Sequence, residues 1–336
     1  MEKIAFLIGG QSVYWSSLVL LAAGIGASLV FLGCWLSRGG GFSAGIAALA
    51  LSWCLGIPAA RLMHWYCYAE TYAGFGSAMT NLATGGFGLL GVFLGCLLAA
   101  GITRGLGLHK NFLGMLDDMC LSGCLGIAVG RLASFFSASD RGQVLASVTS
   151  MPWAYPVTNT VSGVTEYRLA TFLLQVIVAL VLAAALVLFR RRKRKPGETA
   201  LVFLLCYCAS QIVLDSTRYD SMYFRFNGFV SIVQVVSALT LAGVIVVFSV
   251  RAVRARGFRG FYAAIWGGIL ALIGCAGYME YHVQRHGDQA LFAYTVMSLS
   301  LAAAVALSLW LYRLGQAKAK GGRYLRGHTG HIPAAG

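Results

Sequence analysis

One arginine in the middle of the chain lies where a charged side chain is costly. Arg131 ends a long apolar run, and three hydroxyl side chains follow it at Ser134, Ser137 and Ser139. A guanidinium stays charged in proteins, and placing it in hydrocarbon costs about 3 kcal/mol or more. An arginine in such a position usually pairs with another group or belongs to a functional site. The spacing of the three serines predicts that they line one side of the same helix.

We therefore predict an anion site centred on Arg131, with Ser134 beside it, for the phosphate of a lipid head group. The alternative is an arginine that extends to the membrane surface and serves packing or topology. A second arginine, Arg218, follows another apolar run and could hold the same phosphodiester. Its own alternative is a surface ion pair with Asp215 or Asp220, which contributes little free energy.

Two further motifs bear on the same chemistry. Thr84, Gly85 and Gly86 open an apolar run, and glycines at a helix start leave backbone N–H groups accessible to an anion. We assign Gly85 and Gly86 to the phosphate site, although close helix packing through small residues is the competing explanation. Asp117 and Asp118 begin the run that ends at Arg131, and we expect them to complement the dipole of that helix.

The composition identifies the elements that must position these residues. Hydrophobic residues make up 58% of the 336 residues and charged residues 11%, whereas soluble proteins contain about 25% charged residues. The chain is therefore predicted to be an all-α integral membrane protein. A helical span needs about 20 apolar residues, and nine runs qualify. They are residues 14–36, 42–63, 85–102, 112–134, 171–189, 199–214, 229–250, 261–278 and 290–311.

The distribution of positive charge predicts the orientation. Most of the 26 Lys and Arg residues fall in alternate loops, including the basic block 190–195. This asymmetry indicates an outside N-terminus and an inside C-terminus. The net charge of +15 is then explained by anchors near anionic lipid, and a nucleic-acid partner is not predicted. The six histidines show no metal-ligand spacing, so no metal site is predicted either.

Matches in order along residues 6–250 resemble the bacterial prolipoprotein diacylglyceryl transferase family. They are Val13-Tyr14-Trp15, Ala60-Arg61, Gly85-Gly86, Asp117, Gly130-Arg131-Leu132 with Gly142, Pro152-Trp153, Arg218, and the run from Gly228 to Ser237. The resemblance implies a seven-helix transferase-like core in residues 1–250. Residues 251–312 would then be a two-helix C-terminal extension, and residues 313–336 a basic cytoplasmic tail.

The resemblance also implies an activity. The family moves the diacylglyceryl group of phosphatidylglycerol onto the thiol of a lipobox cysteine in a lipoprotein precursor, at the bacterial inner membrane and without a cofactor. By resemblance, Arg131 and Arg218 would be the catalytic residues, binding the phosphate and stabilising it as it departs. The implied partners are phosphatidylglycerol and the lipoprotein precursor.

The chain departs from the family pattern at several polar positions. Thr84 stands where the family has His, and Ser134, Ser137 and Ser139 stand where it has Asn, Asn and Glu. We expect Thr84, Ser137 and Ser139 to substitute for the missing groups. A thiol needs a base to become a nucleophile, and three residues elsewhere are candidates: His64, Glu70 and Asp140.

These departures leave two other functions open. One is a catalytically inactive or repurposed homologue that binds an anionic lipid or a membrane partner. The other is a transferase with a different acceptor.

Overall fold

A computed structural model describes residues 4–8, 11–80, 86–137, 141–145, 153–158, 163–225, 227–286 and 289–325. Within these ranges the chain forms ten α-helices and three short antiparallel hairpins. The helices are α1 (Trp15–Ser37), α2 (Phe42–Cys67), α3 (Phe75–Thr80), α4 (Leu89–Gly105), α5 (Phe112–Arg131), α6 (Thr171–Arg190), α7 (Glu198–Ser216), α8 (Ile232–Arg256), α9 (Phe261–His286) and α10 (Ala290–Leu325). The hairpins pair β1 (Ile4–Ile8) with β2 (Gln11–Tyr14), β3 (Ala154–Thr158) with β4 (Thr165–Leu169), and β5 (Tyr223–Phe224) with β6 (Asn227–Ser231).

Eight of these helices are long and apolar enough to cross a membrane. The helix α4 is also apolar but has 17 residues. Each predicted apolar run corresponds to one long helix. The prediction of an all-α integral membrane protein is confirmed, and the protein is a multi-pass membrane protein.

Several predicted helix boundaries differ from those of the structure, and two of these differences have clear local reasons. The helix α5 ends at Arg131, because the chain then tightens into a 3₁₀ turn over Leu132–Phe135. At this end the Leu132 N–H donates to the carbonyls of Gly130 and Val129. Ser134 and Ser137 therefore do not continue one face of that helix. The run 229–250 becomes helical only at Ile232, since its first residues pair with the preceding strand as β6.

The chain forms two compact units, residues 1–207 with 214–236, and residues 208–213 with 237–336. In the first unit α2 packs along α4, while α1 and α6 pack against α5. The contact between α2 and α4 is so close that a Cβ on Gly95 would lie 2.4 Å from the Cα of Gly56, as expected for small-residue packing in membranes. In the second unit α9 packs against α10.

Candidate functional site

One of the two arginines predicted to form the site, Arg218, pairs with a buried carboxylate. Asp215, in the last turn of α7, is 2% exposed. Its Oδ1 lies 3.8 Å from Nη1 of Arg218, and its Oδ2 accepts a hydrogen bond from Ser231 Oγ. The positive charge of Arg131, at the end of α5, also acts on this carboxylate. Asp215 is therefore a buried counter-charge for Arg218, and the charge of Arg131 also influences it.

Arg218 makes the ion pairs foreseen as its alternative role, but it does not make them on the surface. Its Nε lies 3.2 Å from Oδ1 of Asp220, and its Nη2 donates to the Asp220 carbonyl at 3.2 Å. The Arg218 side chain is only 10% exposed. The pair with Asp215, whose side chain is 1% exposed, is removed from water and costly to disrupt, whereas the Asp220 side chain is 32% exposed. The expected pairing with Asp215 or Asp220 is present, but the pair with Asp215 is buried and not on the surface.

A short backbone segment, 141–145, positions Arg218. It forms bridges to Arg218 through Gly142 and to Arg168 of β4 through Val144. Gly142 donates its N–H to the carbonyl of Leu169 at 3.1 Å, and a Cβ on Gly142 would lie 2.2 Å from that oxygen. Only glycine permits this approach. The segment thereby ties the hairpin β3–β4 to the residues that follow α7.

The start of α6 is fixed to the same region. The hydroxyl oxygens of Thr171 and Thr217 lie 3.0 Å apart, and the side chain of Gln143 donates to the Ser216 carbonyl at 3.0 Å. The guanidinium of Arg168 stacks 4.7 Å from the centre of the Tyr219 ring. Arg218 is thus held by a connected polar layer at one end of the helices.

The described residues include only part of the predicted phosphate site. Thr84, Gly85 and Ser139 lie outside the described residues. Ser134 is buried in the 3₁₀ turn directly after Arg131, and Ser137 follows it, partly buried. Their assignment to a phosphate site stays a prediction.

The sequence analysis placed Gly86 at the start of a helix, and this placement is wrong. The helix α4 begins at Leu89 with Gly88 as its N-cap. The carbonyl of Gly86 accepts a hydrogen bond from Nη1 of Arg61 at 3.0 Å. Its φ is +80°, and a Cβ there would lie 2.7 to 2.9 Å from three atoms of the His64 ring. Glycine is required here because of both the backbone conformation and the imidazole.

Arg61 matched the family pattern in the sequence, but its contacts become visible only in the structure. The guanidinium, in α2, is fully buried. It donates to the carbonyls of Ala78 and Gly86 and lies 4.9 Å from the centre of the Tyr72 ring. Arg61 therefore fixes the backbone at Ala78 and at Gly86 to α2.

Next to Arg61, the end of α2 carries a cluster of one histidine and two tyrosines. Nδ1 of His64 lies 2.8 Å from the Tyr72 hydroxyl, and the His64 ring lies 4.8 Å from that of Tyr68. The Tyr68 hydroxyl donates to the carbonyls of Asp220 and Ser221, both at 3.1 Å. The sequence analysis named His64 as a candidate base but did not indicate its contacts with the two tyrosines.

Burial changes the chemistry of the tyrosine at the end of α2. It raises the pKa of Tyr68 to about 12, the negative charge of Asp220 acts in the same direction, and the positive charge of Arg218 opposes both. The phenol therefore remains a neutral donor at physiological pH.

The opposite end of α5 holds the second polar cluster, and the expected role of its two aspartates is wrong. Asn111 caps α5 by accepting from the Gly114 N–H. Asp117 instead accepts from the backbone N–H groups of Gly197 and Ala200, at 2.9 and 2.8 Å, and so caps α7. Asp118 pairs with Arg190 and, at 3.4 Å, with Arg38. Both lie too far into α5 to satisfy its own first N–H groups.

In the described part of the chain, no group of three or more His, Cys, Asp or Glu side chains is arranged to hold a metal ion.

Comparison with known proteins gives a consistent result. The family model described as prolipoprotein diacylglyceryl transferase matches residues 3–250. The chain is similar to the phosphatidylglycerol–prolipoprotein diacylglyceryl transferase of Clostridioides difficile, with 25% identity over 73% of this chain and 94% of that protein. The protein of the same name from Gloeobacter violaceus is 30% identical over 64% of this chain and 81% of that protein. A third, from Thermosynechococcus vestitus, is 28% identical over 70% and 87%.

Proposed function

The chain belongs to the prolipoprotein diacylglyceryl transferase family, and from that premise we propose that it transfers diacylglyceryl from phosphatidylglycerol to a lipobox cysteine thiol of a lipoprotein precursor. The sulfur forms a bond to the glyceryl carbon, the bond from that carbon to the phosphate oxygen breaks, and glycerol phosphate leaves. The proposed reaction uses no cofactor.

The buried pairing of Arg218 with Asp215, a carboxylate that the charge of Arg131 also influences, is the observation that carries this proposal. Negative charge grows on the phosphate oxygen as its bond to carbon breaks. Two guanidinium groups fixed near that oxygen, where water is scarce, stabilise the charge without further reorganisation. The carboxylate of Asp215 holds the guanidinium of Arg218 in place before the lipid arrives. Arg131 and Arg218 are therefore the proposed catalytic residues.

The charge distribution supports the proposed orientation. The basic block 190–195 follows α6 and lies beside Asp118, which pairs with Arg190. Asp118 and Arg131 are separated along α5 by about 20 Å, given a rise of about 1.5 Å per residue. The positive-inside rule then assigns the basic block to the inner face and Arg131 to the outer face. A bacterial inner membrane with outward-facing arginines suits an acceptor that is being secreted.

We also propose that residues 251–312 are an addition to a core formed by residues 1–250. The family model ends at residue 250. The described part of the proposed tail 313–336 continues α10 as far as Leu325.

Complementation and direct assay test the proposal. The wild-type chain should restore lipoprotein modification in a strain depleted of its own transferase. In purified form it should form a thioether on a lipobox peptide supplied with phosphatidylglycerol. Arg131→Ala should lower that rate by about 100-fold or more, since it removes a charge that stabilises the transition state. Arg285→Ala, which alters an exposed arginine of α9, is the control and should have no effect.

The second candidate is a homologue that binds lipid without turnover. It is favoured by the replacement of the family His, Asn, Asn and Glu by Thr84, Ser134, Ser137 and Ser139. Purified wild-type protein that retains phosphatidylglycerol but forms no thioether would establish this candidate and overturn the transferase proposal.

A further inference from the structure

A diacylglyceryl transfer needs a group that removes the proton from the acceptor thiol. The thiolate is the nucleophile, and an ordinary cysteine has a pKa of about 8.5. Among the three candidates from the sequence, Glu70 lies exposed in a 3₁₀ turn and Asp140 lies outside the described residues. His64 is partly buried at the end of α2 and belongs to a connected set of polar groups.

We propose that His64 is the general base of this chain, an inference that rests on the proposed function. Within the described residues, the hydrogen bonds of its ring involve Nδ1 alone, which lies 2.8 Å from the Tyr72 hydroxyl. The tautomer that serves as a base donates from Nδ1–H to the Tyr72 oxygen and keeps the lone pair on Nε2. Tyr72 is then the positioning residue that holds this tautomer. It is itself held against the guanidinium of Arg61.

The imidazole is connected to the arginine side of the site. Its ring packs on Tyr68, whose hydroxyl donates to the same Asp220 carbonyl that accepts from Nη2 of Arg218. On its other side the ring lies against Gly86, where a side chain would displace it. His64 thus lies between Gly86 and the groups that hold Arg218.

The chemical step balances with these groups. The thiol proton moves to Nε2 of His64 as the sulfur forms its bond to the terminal glyceryl carbon. The bond between that carbon and the phosphate oxygen breaks, and its electron pair leaves with glycerol phosphate. The imidazolium then gives its proton to the departing phosphate or to water.

The test compares two acceptor peptides in the purified full-length protein with phosphatidylglycerol. One has the lipobox cysteine, and the other has selenocysteine, whose selenol is already ionised at neutral pH. His64→Gln should lower the rate with the cysteine peptide by about 10² to 10⁴-fold, the range for a lost general base, and should recover most of the rate with the selenocysteine peptide. Tyr72→Phe should show a smaller loss and the same recovery. His282→Gln, in α9, is the control.

The outcomes separate the inference from the proposed function. No transfer by the wild-type protein to either peptide would refute the transferase itself. A wild-type protein that is active, with a His64→Gln variant that is equally active on cysteine, would refute the base while leaving the transferase intact. Loss of activity on both peptides in His64→Gln would show a structural role and would also overturn the inference. Arg131→Ala should be slow on both peptides.

An independent observation concerns the opposite end of α5. A cavity of about 350 Å³ lies between the end of α1, the end of α6 and the start of α7. Its polar lining includes Arg38, Arg190, Arg192, Lys193, Arg194 and Thr199. The carboxylate of Asp117, which also lines it, already accepts two backbone N–H groups of α7. Positive charge therefore dominates the cavity.

Two buried polar atoms in this lining have no hydrogen-bond partner within the described chain: Nη1 of Arg190 and Oγ1 of Thr199. Thr199 is 1% exposed, and the Arg190 side chain is 11% exposed. Buried donors without partners are rare because each costs free energy. A guanidinium and a hydroxyl on residues that line a basic cavity match an anion with several acceptor oxygens. We infer that this cavity binds a phosphate group, carried either by an anionic lipid head group or by a free phosphate ester.

Hydrogen exchange of residues 190–200 gives a local test, because lipid bound near Arg131 would not protect them. Vesicles of phosphatidylglycerol with phosphatidylcholine are compared with phosphatidylcholine alone, and inorganic phosphate is added separately to detergent-solubilised protein. Slower exchange with phosphatidylglycerol alone identifies a lipid head group, and slower exchange with inorganic phosphate identifies a free phosphate. Thr199→Val and Arg192→Gln should each remove at least half of the protection. The control Arg254→Gln, at an exposed arginine of α8, should keep it. Protection by neither probe, or protection unchanged in both cavity variants, would refute the site.

Discussion

Tyr68 and Arg218 donate hydrogen bonds to the same backbone oxygen. The Tyr68 hydroxyl lies 3.1 Å and Nη2 of Arg218 lies 3.2 Å from the carbonyl oxygen of Asp220. This oxygen joins the end of α2 to the segment after α7, although Tyr68 and Asp220 are 152 positions apart in the chain. The histidine side and the arginine side of the proposed site are therefore one connected structure.

The high pKa of Tyr68 predicts how stability changes at alkaline pH. Below pH 10 the phenol is neutral in both the folded and the unfolded chain. Between about pH 10 and pH 12 the unfolded chain loses this proton, while the folded chain, with a pKa of about 12, keeps it. The free energy of unfolding should therefore fall as pH rises through this window. Thermal unfolding of the detergent-solubilised protein should show a steeper decline for wild type than for Tyr68→Phe, and equal slopes would contradict the prediction.

Asp215→Asn should destabilise the protein by about 3 kcal/mol, because it leaves the buried guanidinium of Arg218 beside a neutral side chain. Asp220→Asn is the matched control. The Asp220 side chain is 32% exposed, whereas that of Asp215 is 1% exposed, so its loss should cost about 1 kcal/mol or less. The measurement is the free energy of unfolding in denaturant. Similar values for the two variants would show that Asp215 does not act as a buried counter-charge for Arg218.

Gly86→Ala should lower both stability and activity. A non-glycine residue at φ +80° costs about 1 to 2 kcal/mol, and the added methyl group would also push the His64 ring aside. Gly26→Ala, in α1, is the control because a Cβ there meets nothing within 4 Å. That change should be neutral or stabilise by up to about 1 kcal/mol. If Gly86→Ala left the rate of thioether formation unchanged, the position of His64 would not matter for the reaction.

Asp117→Ala should cost about 2 kcal/mol of stability. It leaves the N–H groups of Gly197 and Ala200 without their acceptor at the buried start of α7, a loss similar to that of a helix N-cap. Asp117→Asn retains one carbonyl oxygen and should cost about half as much. Thermal unfolding distinguishes the two. Equal losses in both variants would show that the charge of Asp117, rather than its hydrogen bonds, stabilises the helix.

The sequence was sufficient for the helices because the length of a membrane span limits the solutions. Runs of about 20 apolar residues can hardly form anything else in a bilayer. The errors arose at helix ends, where a 3₁₀ turn after Arg131 and a short strand before Ile232 depend on local pairing. Hydropathy does not report such pairing.

For the site, the sequence revealed the charges but not their partners. Arg131 and Arg218 stand out because charge is rare in apolar runs. The roles of His64 and Asp117 depend on contacts made by the folded chain: Gly86 and Tyr72 for the histidine, and an amide 80 positions away for the aspartate. Asp117 was assigned to its own helix because proximity in sequence suggested that helix, whereas the fold supplies another.

The cap that Asp117 provides also has a consequence for biogenesis. Translation delivers α5 before α7, so the acceptor for the first amides of α7 is already inserted when that helix leaves the ribosome. The later segment does not need to carry its own N-terminal acceptor into the bilayer. A premature stop that removes α7 should leave the earlier helices able to insert, whereas a chain with an altered Asp117 should expose a poorly inserted α7 to membrane quality-control proteases.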